Sequence, residues 1–320
     1  MVKKIGVTAR MFHALPYLKD EIRTAYPDAE IRFAEPKFVF SPDEIAEFFA
    51  GCDAAVISLE RFTDAVLEKL PNLKVIACCS AGVDHVDPAV MKRHGIRVGW
   101  RPGVNRHAVA EMAVSLMIDV LRNITIYRRA MERDAAWPVA RTGRLLRGRT
   151  VGVHGCGNIG REVIKLLQPF DCRILTSDRA DVGAFCREYG VEVVGPEELR
   201  ARAELLTLHL PRNATTRGLY SAAVLDQLRP GCLLVNTARG SIVDETALLE
   251  RLADGRIAAA AFDVFDEEPV RDRRLLALEN FLVTPHIAGS AIEAMEGLGR
   301  SGIRGIEDGT VPEPGIYPFD

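Results

Sequence analysis

The chain has no apolar run approaching the ~20 residues that a membrane-spanning helix requires, so no bilayer-crossing segment is expected. It has no excess of either charge. Its 41 Lys and Arg stand against 44 Asp and Glu, and the net −3 gives no global attraction for nucleic acid or an anionic membrane. It has no C-x-x-C, and its seven cysteines are odd in number and lie mostly in or beside expected strands. That excludes a disulfide framework or a zinc site and predicts buried free thiols, no bound metal and a reducing cytoplasm. Residues 1–8 hold two lysines and then only a strand-length apolar stretch, without the longer core or cleavage site of a signal peptide. There is no internal repeat and no low-complexity tract. What is present is an ordinary globular composition, 48% hydrophobic and 27% charged, over 320 residues. That length suggests two domains of about 100–200 residues each.

Short apolar segments alternate with amphipathic ones along the whole chain, the pattern of an α/β protein with parallel sheets. Strands are expected at 5–9, 30–34, 54–58, 74–79 and 96–99. A long helix at 104–124 has apolar positions around most of its circumference, as a helix wedged between two domains would. The basic stretch 127–149, with Trp137-Pro138, reads as an irregular arm onto a partner subunit, with Trp137 lining that subunit's substrate cleft. Later strands are expected at 205–210, 233–237, 258–264 and 282–284, followed by a helix at 290–307 and an extended tail.

The most informative segment is TVGVHGCGNIG at 150–160, which leads into a helical pattern through Phe170 and a second strand at 173–177 closing on Asp178. This is the dinucleotide-binding βαβ fingerprint in its structural context. Gly155 permits the tight turn, Gly157 lets backbone amides approach a pyrophosphate, and Gly160 allows the helix to lie close on the sheet. The helix start at Asn158 and Ile159 offers unpaired N–H groups and a partial positive charge. Asp178 stands 23 positions after Gly155, near the ~20 expected of a ribose-binding carboxylate.

Three further segments put polar groups at expected strand ends, where parallel sheets bind ligands. Arg239, after Asn236-Thr237-Ala238 and before Gly240, suits bidentate recognition of a carboxylate. Residues 263–269 form an acidic run that opens with Asp263, and His286 follows a stiffening Pro285. A guanidinium, an acid and an imidazole beside a dinucleotide are the equipment for hydride transfer to a 2-oxo acid.

With these residues in view, the chain resembles the D-isomer-specific 2-hydroxyacid dehydrogenases. The matching blocks run in order along nearly its whole length: SAGVDHVD (80–87), RPGVNRHAVAE (101–111), GCGNIG, LHLPRNATTRGL (208–219), NTARGSIVDE (236–245), DVFDEEP and TPHIAGS. The resemblance implies two Rossmann-like, doubly wound parallel-sheet domains with an active-site cleft between them. Residues 1–100 and 291–320 would form the substrate domain, and 101–290 the NAD-binding domain. Arg239, Glu268 and His286 would be the catalytic trio, with Glu268 hydrogen-bonded to His286. Asp263 would sit near the nicotinamide carboxamide, and Leu210, Pro211, Thr237, Ala238 and Gly289 would complete the cofactor groove. Backbone amides of Ala81, Gly82 and Val83 would hold the substrate carboxylate, alongside Arg239 and His286. A homodimer through the cofactor domain is implied as well.

Departures narrow the expectation. Glu268 stands where formate dehydrogenases carry Gln. The arginines that phosphoglycerate dehydrogenases place near Ser58 and Cys78 are missing, with Arg61 or Arg101 as possible substitutes. Asp178 should repel a 2′-phosphate, favouring NAD over NADP despite the adjacent Arg179. The expected activity is reversible hydride transfer between NADH and a small 2-oxo acid, such as glyoxylate or hydroxypyruvate. The alternative is an NAD(H)-sensing, corepressor-like scaffold with little turnover, since such scaffolds often keep the trio. Trp100-Arg101 is less apolar than that position usually is, and the sequence offers no reason.

Overall fold

The structure, a computed structural model, describes residues 2–37, 39–134 and 142–316. The chain divides into two compact units, one of residues 1–105 with 290–320 and the other of residues 106–289.

The first unit is built on five parallel strands: β1 (Lys4–Val7), β2 (Glu30–Phe33), β3 (Ala54–Ile57), β4 (Val75–Cys78) and β5 (Arg97–Gly99). Their order is β2-β1-β3-β4-β5, one of the two common doubly wound arrangements. The central strands β3 and β4 are buried at every position, as strands covered by helices on both faces must be. One face packs Ile45, Phe49, Phe62, Leu67 and Met91. The other packs Phe12, Leu18 and Ile22 with Leu298, Ile303 and Ile306 of the last helix, Ile292–Asp308. The chain therefore returns at its end to complete the unit it began. Thr310 closes the return with backbone hydrogen bonds to Val98.

The second unit carries seven parallel strands: β6 (Thr150–His154), β7 (Arg173–Ser177), β8 (Glu192–Val193), β9 (Leu205–Leu208), β10 (Cys232–Asn236), β11 (Ile257–Phe262) and β12 (Phe281–Val283). Their order, β12-β11-β10-β9-β6-β7-β8, is that of a dinucleotide-binding sheet extended by one strand. The order reverses between β6 and β9, which opens a crevice beyond their carboxyl ends. The helix Arg106–Arg122 belongs to this unit and buries Ala110, Ala113, Met117, Val120 and Leu121 in the cluster holding Val163, Ile164 and Leu167 of the helix Asn158–Leu167.

Two features differ from the sequence reading. The stretch taken as an irregular arm begins as a helix, Ile124–Asp134, whose exposed face carries the i,i+4 ion pair Arg128–Glu132. Trp137 lies outside the described residues. The edge strand β8 has a two-residue, wholly exposed ladder, too short and polar to leave a periodic signal. Six of the seven cysteines are buried, Cys172 is partly so, and all are free. Among the described residues no helix is long and apolar enough to cross a membrane, and no cluster of metal-ligating side chains occurs.

Candidate active site

In the second unit, the candidate residues lie just past the carboxyl ends of strands, except Glu268, which lies farther along the loop after the strand Ile257–Phe262. Gly155 to Gly160 follow β6, Asp178 follows β7, and Leu210 and Pro211 follow β9. Thr237, Ala238 and Arg239 follow β10, Asp263 follows β11, and His286 and Gly289 follow β12. Parallel pairing in register aligns these ends on one edge of one sheet. Ala81, Gly82 and Val83 follow β4 in the first unit.

The fingerprint loop has the geometry its glycines predict. Gly155 takes φ +96°, and a Cβ there would stand 2.5 Å from the carbonyl oxygen of His209. A Cβ on Gly160 would stand 2.0 Å from the carbonyl oxygen of Gly155, so only glycine lets the helix start against the turn. Gly157 caps the helix Asn158–Leu167 without a side-chain acceptor, and a Cβ there would meet nothing within 4 Å. The first turn thus presents backbone donors to open space, which suits a pyrophosphate. Asp178 braces this loop, accepting from the Cys156 amide at 2.6 Å and the Ala180 amide at 2.8 Å. Thr237 Oγ1 and Ser241 Oγ, beyond β10, are buried with no hydrogen-bond partner among the described residues. Unmet donors beside a glycine turn fit a polar cofactor such as a dinucleotide.

The remaining groups are assembled by two loops. Asn236 is fully buried at the end of β10; it accepts from the Ala238 amide and donates to the Arg239 carbonyl, both at 3.0 Å, which shapes the Arg239 turn. Gly240 then allows that turn to lie on the backbone of Phe265 and Asp266, where a Cβ would collide at 1.8 Å. This contact brings the Arg239 turn against the loop that bears Glu268. Sequence reasoning misses Asn236 and reads Gly240 as room for a ligand, whereas the space is taken by the backbone of Phe265 and Asp266.

Glu268 accepts from the Phe265 amide at 3.0 Å through Oε1 and from His286 Nδ1 at 2.7 Å through Oε2. Burial opposes its ionisation. The His286 hydrogen bond, the Phe265 amide, and the charges of His286 and Arg239 outweigh that and hold the carboxyl below its ordinary range. The His286 side chain is 46% exposed and that of Glu268 37%, so the pair remains open to a ligand. With Nδ1 engaged, Nε2 is the ring atom left to act on a substrate.

His286 adopts φ +53°, a left-handed conformation that is uncommon for a side chain of its size. Fully buried Asp263 supports it. Its Oδ1 accepts from Thr284 Oγ1 at 2.6 Å and the Ile287 amide at 2.9 Å, and its Oδ2 accepts from the Ala288 amide at 2.8 Å. The backbone carbonyl of Asp263 accepts the His286 amide at 2.8 Å. Both carboxylate oxygens are therefore committed to the histidine turn, a task that the resemblance did not indicate.

His154, one residue before Gly155, is buried and hydrogen-bonds the Tyr220 hydroxyl at 2.6 Å through Nδ1. Burial, aided by the charge of Arg200 and opposed by Asp178, pushes it down to about 4. An unfolded histidine titrates near ~6.5, so between these values the unfolded chain binds more protons than the folded one. Stability conferred by neutral His154 is complete above pH ~6.5 and declines towards pH ~4. Between pH 7 and pH 5 the expected loss from His154 is about 2 kcal/mol, read as the part of the change in urea-unfolding free energy that a His154→Leu variant abolishes. A His154→Leu variant showing the same pH slope would contradict this.

On the first unit, Trp100 donates its indole N–H to the Ser80 carbonyl at 3.1 Å and packs beside the core under β4 and β5, which accounts for its presence. Arg101 forms a half-exposed ion pair with Asp308.

Comparison with known proteins agrees with this geometry. The family model "D-isomer specific 2-hydroxyacid dehydrogenase, NAD binding domain" matches residues 114–288. Hydroxypyruvate reductase of Thermotoga maritima is 34% identical over 261 residues, covering 80% of this chain and 84% of the relative. D-3-phosphoglycerate dehydrogenase of Archaeoglobus fulgidus is 35% identical over 268 residues, covering 83% of this chain and 51% of the relative, so the chain spans about half of that protein. The structure of a Polaromonas protein assigned to the same group of dehydrogenases aligns with a TM-score of 0.86 at 28% identity over 96% of each chain. The chain belongs to the D-isomer-specific 2-hydroxyacid dehydrogenase family, oxidoreductases that act on the CH–OH group of their donors with a nicotinamide cofactor.

Proposed function

We propose that the chain catalyses reversible, NAD-dependent reduction of a small 2-oxo acid of the glyoxylate or hydroxypyruvate class to its D-2-hydroxy acid. The observation that carries this reading is the His286–Glu268 pair, 2.7 Å apart, on the sheet edge that also bears Arg239 and the Gly155–Gly160 turn. The cofactor, when bound, supplies the hydride. Backbone amides of Gly157, Asn158, Ile159 and Gly160 would hold its pyrophosphate, and Asp178 would accept from its ribose hydroxyls. Leu210, Pro211, Thr237, Ala238 and Gly289 line the groove.

Arg239 clamps the substrate, and the amides of Ala81, Gly82 and Val83 hold its carboxylate. His286 Nε2 donates a proton to the 2-oxo oxygen as negative charge develops there, and the Glu268 charge supports the imidazolium. In the reverse direction neutral His286 takes the hydroxyl proton. Asp263 acts by holding the histidine turn.

The test is oxidation of NADH and of NADPH, followed near ~340 nm, with a panel of 2-oxo acids. Turnover with a small 2-oxo acid is expected, with kcat/KM for NADH exceeding that for NADPH by about tenfold to a hundredfold, because a 2′-phosphate meets the like charge of Asp178. Asp178→Ala should narrow that ratio. No turnover with any member of the panel would refute the activity, and a preference for NADPH would refute the cofactor assignment. A cytoplasmic homodimer accompanies this reading, and sedimentation of the assayed preparation at twice the chain mass is expected.

A further inference from the structure

The loop after β3 lies beside the loop that bears Ala81, Gly82 and Val83. Strands β3 and β4 pair in parallel with Ile57 opposite Cys78, and the Cys79 amide donates to the Ile57 carbonyl at 2.8 Å. The β3 loop is pinned at both ends, by fully buried Ile57 and by Phe62, which is 4% exposed within the core. Between them Leu59 projects outward, 57% exposed.

Backbone amides at the carboxyl end of a parallel strand are natural donors to an anion. Here they are already taken. Glu60 Oε2 accepts from the Ser58 amide at 2.7 Å and from the Leu59 amide at 2.9 Å. The loop thus carries an internal carboxylate on amides that could otherwise serve an anion. The Glu60 side chain is held in place by two amides, and its field reaches β4: burial first, then Glu60, pushes the Cys78 thiol up to about 12.

We propose that Glu60 and Leu59 select against 2-oxo acids bearing a second, distal anion, so that the chain takes unphosphorylated substrates with a short neutral or apolar tail. This rests on the dehydrogenase reading and on substrate binding at Ala81–Gly82–Val83. A phosphate ester would have to displace Glu60 from its amides and then lie against its charge and the exposed Leu59 side chain. A neutral tail needs no such displacement. Arg61, the neighbouring cation, is exposed, makes no hydrogen bond or ion pair among the described residues, and is screened by water.

The test compares hydroxypyruvate with its 3-phosphate ester, using NADH and the full chain. Wild type is expected to favour hydroxypyruvate by about a hundredfold or more in kcat/KM. Glu60→Ala and the isosteric Glu60→Gln are each expected to narrow that ratio by about tenfold, chiefly through the KM of the ester. Leu59→Arg combined with Glu60→Ala should narrow it further. An unchanged ratio in both Glu60 variants would overturn the inference, as would a wild-type preference for the ester. So would a selective loss of ester turnover in Arg61→Ala, which would make Arg61 its receptor. Absence of turnover with every 2-oxo acid would bring down the dehydrogenase reading and this inference with it; turnover with an unaltered ratio would bring down the inference alone.

Discussion

Replacing His286 with Ala lowers kcat for 2-oxo acid reduction by about a thousandfold, while NADH binding, read by fluorescence titration, persists. The size follows from the geometry. The Nδ1 side of the ring is held by Glu268 at 2.7 Å, so Nε2 is the proton donor, and water cannot be positioned as well. Activity within tenfold of wild type in this variant would remove His286 from the mechanism. Glu268→Gln provides the companion measurement. It keeps the shape and deletes the charge, so the alkaline limb of the kcat/KM profile for reduction moves to lower pH by about one unit. The acid side has a definite sign too. Glu268 is held below the ordinary carboxylate range despite its partial burial. The stability it contributes is therefore present above that range and is lost as pH falls through the depressed value. A Glu268→Gln profile that superimposes on wild type would contradict the pairing.

Asp263→Asn is expected to lower kcat by about a hundredfold and to destabilise the second unit as well. In the native turn both carboxylate oxygens accept, from one hydroxyl and two amides. An Asn side chain has one oxygen, so its NH₂ faces a donor and at least one buried amide is left unpaired. Such a group costs about 1–3 kcal/mol, and the left-handed His286 loses its support, worth about another 1 kcal/mol. Together about 3 kcal/mol corresponds to a fall in Tm of roughly 6–12 °C for a unit of this size. Thr284→Val removes a single donor and should show the same pattern more weakly. The decisive reading is kcat in the folded fraction at low temperature. If Tm falls while kcat holds, Asp263 is merely structural; if kcat falls with little change in KM, it positions the histidine.

Much of this protein is legible before any coordinates. The alternation of apolar segments marks eleven of the twelve strands, and β8 is missed because its two residues are exposed. GCGNIG followed by Asp178 gives the nucleotide loop, because steric exclusion at Gly155 and Gly160 is a local property that glycine spacing records. The motifs around Arg239, Glu268 and His286 mark the strand ends. The helix Ile124–Asp134 escaped because its stretch is basic and irregular in pattern, and its Arg128–Glu132 pair adds little that periodicity detects.

By itself, then, the sequence determined the α/β class, the nucleotide loop and the set of residues available for chemistry. Burial periodicity and glycine sterics act between near neighbours, and the order of residues encodes them directly. Only the tertiary structure decided which of those residues meet: that Gly240 lays the Arg239 turn on the Glu268 loop, and that Asp263 serves the histidine turn. Those contacts depend on how parallel strands distant in sequence align their ends, and on which amides lack another partner there. Both are properties of the folded sheet and not of any single segment.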